Sequence, residues 1–467
     1  MTEEPEERDV RYDKQIDIEV ESGSQRRKLI VSLTWPALAE SVLVSAVSMC
    51  DMIMVGGLGV YAISAVGLVM QPRFIMMAAF MAMSVGTTAL VARCKGARDP
   101  EGANSALLQS MIITLILTAV ICIAMTFLCE PLLRWLGGSE LSERTILESI
   151  TYFKIQIYGF PTLSFTLTIN AALRGAGNTR ASFYTNTVSN IVNLCFNYCL
   201  IGGNLGFPRL EVAGASIATV FGQFVGFVMA VYIVVNGKEY IRLSFGRRWK
   251  ADFSMMKRIV NIGVPSLIEQ VIMRVGTLWF TTIVTALGDV SYAAHMVAMN
   301  IQQISFTTGM AFGVAATTLV GQSLGRGRAD LARVYVRMTQ NLGYIVSTII
   351  AVLLFAFGKF LAGMYTADAV IIILAANMLK IIAVSNPVSN ARFVYISALR
   401  GAGDARFMAV ITFIGVLLVR PLVALLLINI FDMGLTGVWI ALVSDGVICF
   451  SIALMRYRRG KWEYISV

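Results

Sequence analysis

Asp51 is the first residue whose type and setting suggest chemistry, because it interrupts the apolar run Val47-Ser48-Met49-Cys50-Asp51-Met52-Ile53-Met54-Val55. A charged side chain at bilayer depth costs at least ~2.5–3.5 kcal/mol on insertion scales, so this carboxylate needs a cation, a donor or a proton. The fifth apolar segment offers partners: Asn186, Asn190, Asn193 and Asn197 are spaced 4, 3 and 4 residues apart and share one face of a helix. Asn carbonyl oxygens ligate hard cations, and Asn amides hydrogen-bond carboxylates. The expectation is a cation-coupling site made of Asp51 with Asn190, Asn193 and Asn197. The alternative is polar glue between helices, which is common in membrane bundles but does not require a carboxylate.

Other ionisable residues fall inside apolar segments. Glu40 and Glu269 each lie four residues after a proline, Pro36 and Pro265, and are expected to form a gate or a second ion site. The alternative is a snorkelling or capping carboxylate near a helix end. Arg73 precedes Met77 and Met81, and Met273 adjoins Arg274. Soft thioethers beside a cation suit a substrate cavity for varied apolar ligands, with ordinary core or lipid packing as the alternative. Arg392 and Arg420 also lie inside apolar segments; Asp445 is expected to pair with an arginine that the sequence does not single out. His295, the only histidine, is expected to be a hydrogen-bonded packing residue, and the seven cysteines are expected to be small packing residues. No phosphate-binding glycine loop, Cys/His cluster or nucleophile elbow is present, so no catalytic residue, bound metal or cofactor is expected beyond a coupling H⁺ or Na⁺. The chain is read as a transporter rather than an enzyme.

The elements that must position these residues follow from composition. Of 467 residues, 57% are hydrophobic and 14% charged, and the mean hydropathy is +0.72. That excludes an ordinary soluble domain and leaves a polytopic helical membrane protein. Apolar runs of helical length predict twelve transmembrane helices at roughly 29–57, 62–92, 104–128, 148–173, 180–203, 212–236, 258–287, 291–321, 333–358, 370–398, 406–430 and 435–457. Runs this long are unlike the ~10-residue alternating strands of a membrane barrel. The even-numbered loops and the stretches flanking the first and last spans hold 25 Lys and Arg against four in the odd-numbered loops, which places both termini in the cytoplasm of a multi-pass inner (plasma) membrane protein. Topology therefore explains the net charge of +10 without nucleic acid.

The chain is also duplicated. Trp35-Pro36-Ala37-Leu38-Ala39-Glu40 matches Val264-Pro265-Ser266-Leu267-Ile268-Glu269 at an offset of 229, and Ala172-Leu173-Arg174-Gly175-Ala176-Gly177 matches Ala398-Leu399-Arg400-Gly401-Ala402-Gly403 at an offset of 226. The predicted organisation is a disordered acidic tail (1–25), a six-helix lobe (26–236), a basic cytoplasmic linker (237–257) and a second six-helix lobe (258–467). Six spans per repeat give both halves the same membrane topology, so the all-α lobes are expected to be related by a pseudo-two-fold axis along the membrane normal, with a cavity between them.

The run Cys50-Asp51-Met52-Ile53-Met54-Val55-Gly56 followed by Leu58-Gly59, then Ala293-Ala294-His295, both Leu-Arg-Gly-Ala-Gly copies, Gly206-Phe207-Pro208 before Val212-Ala213-Gly214-Ala215, and Gly460-Lys461-Trp462 resemble the multidrug and toxic compound extrusion (MATE) family over about residues 28–462. The resemblance implies an antiporter that exports small organic, often cationic and amphipathic compounds against inward flow of Na⁺ or H⁺. A functional monomer in the lipid bilayer is expected. The resemblance places Asp51 at the family's first-span acidic position and Asn193 at a fifth-span Asn, while several members carry Asp where this chain has Asn197. Where one branch has a seventh-span acid, this chain has Met273. A flippase for a lipid-linked precursor, from the same broad superfamily, is the alternative, kept open by the intramembrane arginines. A channel is a further rival.

Overall fold

The computed structural model describes residues 22–138, 141–236, 240–243 and 251–465. The acidic residues of the expected tail lie outside the described residues, as do Arg247, Arg248 and Lys250 of the expected linker.

Twelve helices succeed one another: α1 (Gly23–Gly56), α2 (Val60–Gly96), α3 (Pro100–Gly137), α4 (Glu143–Gly175), α5 (Thr179–Gly202), α6 (Glu211–Val235), α7 (Phe253–Thr285), α8 (Asp289–Gly325), α9 (Ala329–Gly363), α10 (Ala369–Gly401), α11 (Ala405–Asn429) and α12 (Gly434–Arg458). Two short 3₁₀ turns complete the described elements, Asn204–Gly206 and Lys461–Tyr464. Most helices extend a few residues past the apolar runs, and polar caps set the starts of several. Asp99 accepts from Gly102 N at 2.8 Å ahead of α3, Asn178 from Ala181 N at 3.0 Å ahead of α5, and Asp252 from Ser254 N at 2.9 Å ahead of α7. Ten helices are long and apolar enough to cross a membrane by length and composition; α4 and α5 fall short of that measure. Their polarity is turned inward: Ser149, Gln156, Ser164, Thr168 and Asn170 of α4 and Asn193 and Asn197 of α5 are buried.

The chain divides into two compact units, Trp35–Val260 and Asn261–Val467, the start of α1 up to Thr34 grouping with the second. Each repeat supplies six helices, giving an all-α, two-lobe membrane fold.

The duplicated motif builds the same joint in each unit. Thr88 of α2 donates to the carbonyl of Ala171 on α4 at 2.9 Å, and Thr317 of α8 donates to that of Ser397 on α10 at 2.9 Å. A Cβ on Gly175 would stand 2.5 Å from Thr88 O, and one on Gly401 would stand 2.4 Å from Thr317 O. The first glycine of each motif therefore lets two backbones touch, as small residues do between membrane helices. The second, Gly177 (φ 82°) or Gly403 (φ 88°), takes the left-handed turn that ends the helix.

Further polar stitches bind the first unit. Thr114 and Thr168 share a hydrogen bond of 2.7 Å and Thr118 and Ser164 one of 2.8 Å, joining α3 to α4. Tyr240, outside the spans, donates to the carbonyl of Cys94 at 3.4 Å, and burial, then the nearby Asp99, pushes its hydroxyl above the usual tyrosine range. All seven cysteines are free; Cys94, Cys129 and Cys449 are buried, and Cys195 is exposed.

One helix departs from regularity. Phe413–Val419 of α11 is a π-helical segment, and Arg420 N bonds to Gly415 O five residues back. The extra residue in that turn re-aims the rest of the helix, from Arg420 onward. Gly415 lets this segment pack closely on α12, since a Cβ there would lie 2.2 Å from Cys449 Sγ.

Candidate functional site

Asp51, on α1, meets α5. Asn197 Nδ2 donates to Asp51 Oδ1 at 2.6 Å. With the Asn193 amide oriented so that its oxygen faces the Thr219 backbone N–H at 3.2 Å, its nitrogen donates to both Asp51 oxygens at 3.2 Å. Helix α6 holds this face in place. A Cβ on Gly222 would meet Ser189 O at 2.6 Å and Asn193 Cβ at 2.9 Å, so only a bare backbone lets α6 back directly onto α5 behind the asparagines. Both amides are buried, while the carboxylate is half-buried.

The electrostatics of this cluster are specific. No ion pair forms at Asp51 among the described residues; Arg73 stands within electrostatic range only. Asn197 Oδ1 is buried with no hydrogen-bond partner. The group thus offers a carboxylate solvated by neutral amides beside a spare carbonyl acceptor, a donor set suited to a proton or a hard monovalent cation.

The asparagine stripe divides its labour. Asn186 Nδ2 donates to Glu40 Oε1 at 2.6 Å, forming a second polar contact between α5 and α1. Asn190, expected beside Asp51, instead donates to the carbonyl of Asn186 on its own helix at 2.8 Å. The sequence put four amides on one face, but a helix turns ~100° per residue, and only two of them reach the acid.

Glu40 and Glu269 occupy equivalent places. Arg174 lies within electrostatic reach of Glu40, and its repeat partner Arg400 forms an ion pair with Glu269. Thr412 Oγ1 donates to the same Glu269 oxygen at 3.3 Å, and Thr412 stands 226 residues after Asn186, the donor to Glu40. Each lobe thus has one Glu, one Arg and one polar side chain from its fifth helix.

The remaining expected residues are more dispersed. Arg73 and Met81 are half-buried, and Met77 packs against the core around Phe80 and Phe160. In the second unit Met273 and Arg274 are half-buried on α7. Lys154 and Lys380 are exposed. His295 packs edge-on between Phe280 and Trp439, at 5.9 and 5.5 Å, but its Nδ1 has no partner, so it is a packing residue without the expected bond there. Asp445 is held by two arginines, Arg392 and Arg420. Sequence reasoning missed Thr219 and Thr412; the repeat offset alone would have singled out Thr412.

The MatE family model matches residues 36–199 and again 265–426. The chain is 30% identical over 444 residues, 94% of each protein, to a probable multidrug resistance protein NorM of Thermotoga maritima. It is 26% identical to the uncharacterized transporter YisQ of Bacillus subtilis, covering 93% of this chain and 94% of that protein. Among solved structures, an outward-facing multidrug resistance MATE family transporter of the MOP superfamily superimposes with a TM-score of 0.87 at 22% identity, covering 94% of this chain and 97% of the other. A MATE in complex with MaD3S gives 0.86 at 23% identity, with 94% and 97% covered.

Proposed function

The chain belongs to the MatE family of multidrug efflux transporters, and on that footing we propose that it is a secondary antiporter coupled to H⁺ or Na⁺ at Asp51. The observation that supports this reading most is the solvation of Asp51 by two amides and no cationic side chain. A carboxylate already neutralised by a guanidinium has little to gain from a mobile cation; one held by amides keeps its full charge to be met by an ion. The cargo is a small organic, amphipathic compound.

The cycle needs only linkage. An ion taken up at Asp51 from outside and a substrate taken up from inside compete for the same lobe, so each drives out the other by differential affinity. The flow is alternating access in a cytoplasmic-membrane monomer with both termini inside. Ethidium efflux from proteoliposomes under separate Na⁺ and H⁺ gradients tests the proposal. Efflux driven by one gradient and lost in Asp51→Asn is the expected result. Undiminished efflux by that variant would remove Asp51 from the mechanism.

A further inference from the structure

Asp445 is the twelfth of the 25 residues of α12, which puts it at mid-membrane depth. Arg420 Nε and Arg392 Nη1 both bind it, the latter at 3.3 Å. One carboxylate balances one guanidinium, so the cluster carries a net charge of about +1 where an unpaired ion is costly. Exposure is divided unequally: the Asp445 side chain is 1% exposed and Arg420 10%, but Arg392 is 19% exposed. The negative member is sealed behind the positive ones, and the most accessible member of the cluster is Arg392.

The repeat sharpens the contrast. At the offset of 229 that aligns α1 with α7, Asp51 corresponds to Phe280. The Arg420 guanidinium stands 5.4 Å from the centroid of that ring. Where the first lobe presents a carboxylate, the second presents an aromatic face under a cation. The π-helical turn of α11 immediately before Arg420 aims it there.

Resting on the antiporter reading above, we propose that Arg392, with Arg420 and Asp445 behind it, is a subsite for the anionic group of an amphipathic ligand, a carboxylate or phosphate. Substrates are then anionic or zwitterionic as well as cationic, the anionic end engaging the second lobe. A guanidinium fork gives such groups two parallel bonds, and Asp445 keeps that fork oriented.

The test is fluorescence titration of the full-length protein in detergent, without any ion gradient, using pyrenebutyrate and its cationic counterpart pyrenebutyl-trimethylammonium. Arg392→Gln keeps the neutral Arg420–Asp445 pair and removes the excess charge. It should lower the anion-over-cation affinity ratio by about tenfold, the worth of one charge-assisted hydrogen bond. Arg392→Lys should restore part of that ratio, and Asp445→Asn, which leaves both guanidiniums unneutralised, should raise it. Competition by phosphatidylglycerol would identify the anion as a lipid headgroup; its absence would identify a soluble organic acid. An equal ratio in wild type and Arg392→Gln overturns the proposal. A loss that Arg392→Lys does not restore, together with an unchanged ratio in Asp445→Asn, also overturns it, since Arg392 would then be only a strut. Because no gradient is applied, failure of Asp51 as the coupling acid would leave this ratio untouched.

Discussion

Asn197 reaches from α5 to place its amide nitrogen 2.6 Å from Oδ1 of Asp51, while its own carbonyl oxygen stays buried without a partner. The contrast with the second lobe is chemical. There the buried acids Glu269 and Asp445 face guanidiniums, which neutralise them permanently. An amide stabilises a carboxylate without cancelling its charge.

Replacing Asn197 by Asp tests the coupling ion. A second carboxylate at this distance cannot ionise beside Asp51 unless a cation or proton joins them. Asn197→Asp should therefore strengthen the dependence of efflux on Na⁺, read as a lower Na⁺ concentration for half-maximal transport in proteoliposomes. An unchanged Na⁺ response would show that the amide oxygen side plays no part in ion binding.

Asn193 and Asn190 should separate cleanly. Asn193 contacts the acid, whereas Asn190 is spent on its own helix. Asn193→Leu should abolish gradient-driven efflux; Asn190→Leu should retain it, with stability changed by about 0.5 kcal/mol or less. Equal losses in a side-by-side efflux assay would contradict the geometry.

The Glu269–Arg400 pair should act as structure. Removing one partner of a buried pair strands the other, and since Arg400 keeps 26% of its side chain open, the cost should fall to about 2 kcal/mol. Glu269→Ala should lower the thermal midpoint in detergent. The double variant with Arg400→Ala should lose less than the sum of the two single changes, the signature of a direct coupling.

Gly175→Ala and Gly401→Ala should damage each lobe alike. Each added methyl meets a carbonyl oxygen at 2.5 or 2.4 Å, so two helices must part, at about 1–3 kcal/mol apiece. Thermal unfolding of the two variants should shift by similar amounts, and a neutral result for either would mean its joint relaxes freely.

Much of the fold is legible in the residues alone. Twelve apolar runs of helical length give twelve helices, because a backbone in hydrocarbon must satisfy its own hydrogen bonds. Helix ends are less legible, since capping by Asp99, Asn178 or Asp252 is a local polar choice that hydropathy does not register. Asp51 is legible as an anomaly, whereas nothing in the residue type of its repeat counterpart, Phe280, marks it out.

By itself the sequence determined the span number, the duplication and the isolation of one acid, because these depend on residue type and periodicity along a single chain. Which asparagines reach that acid, which arginines claim Asp445 and why Asn190 stands aside were decided only in three dimensions. Partner choice depends on helix rotation, on the close approach that Gly222 allows and on a single π turn in α11, all of which arise when helices distant in sequence pack against one another.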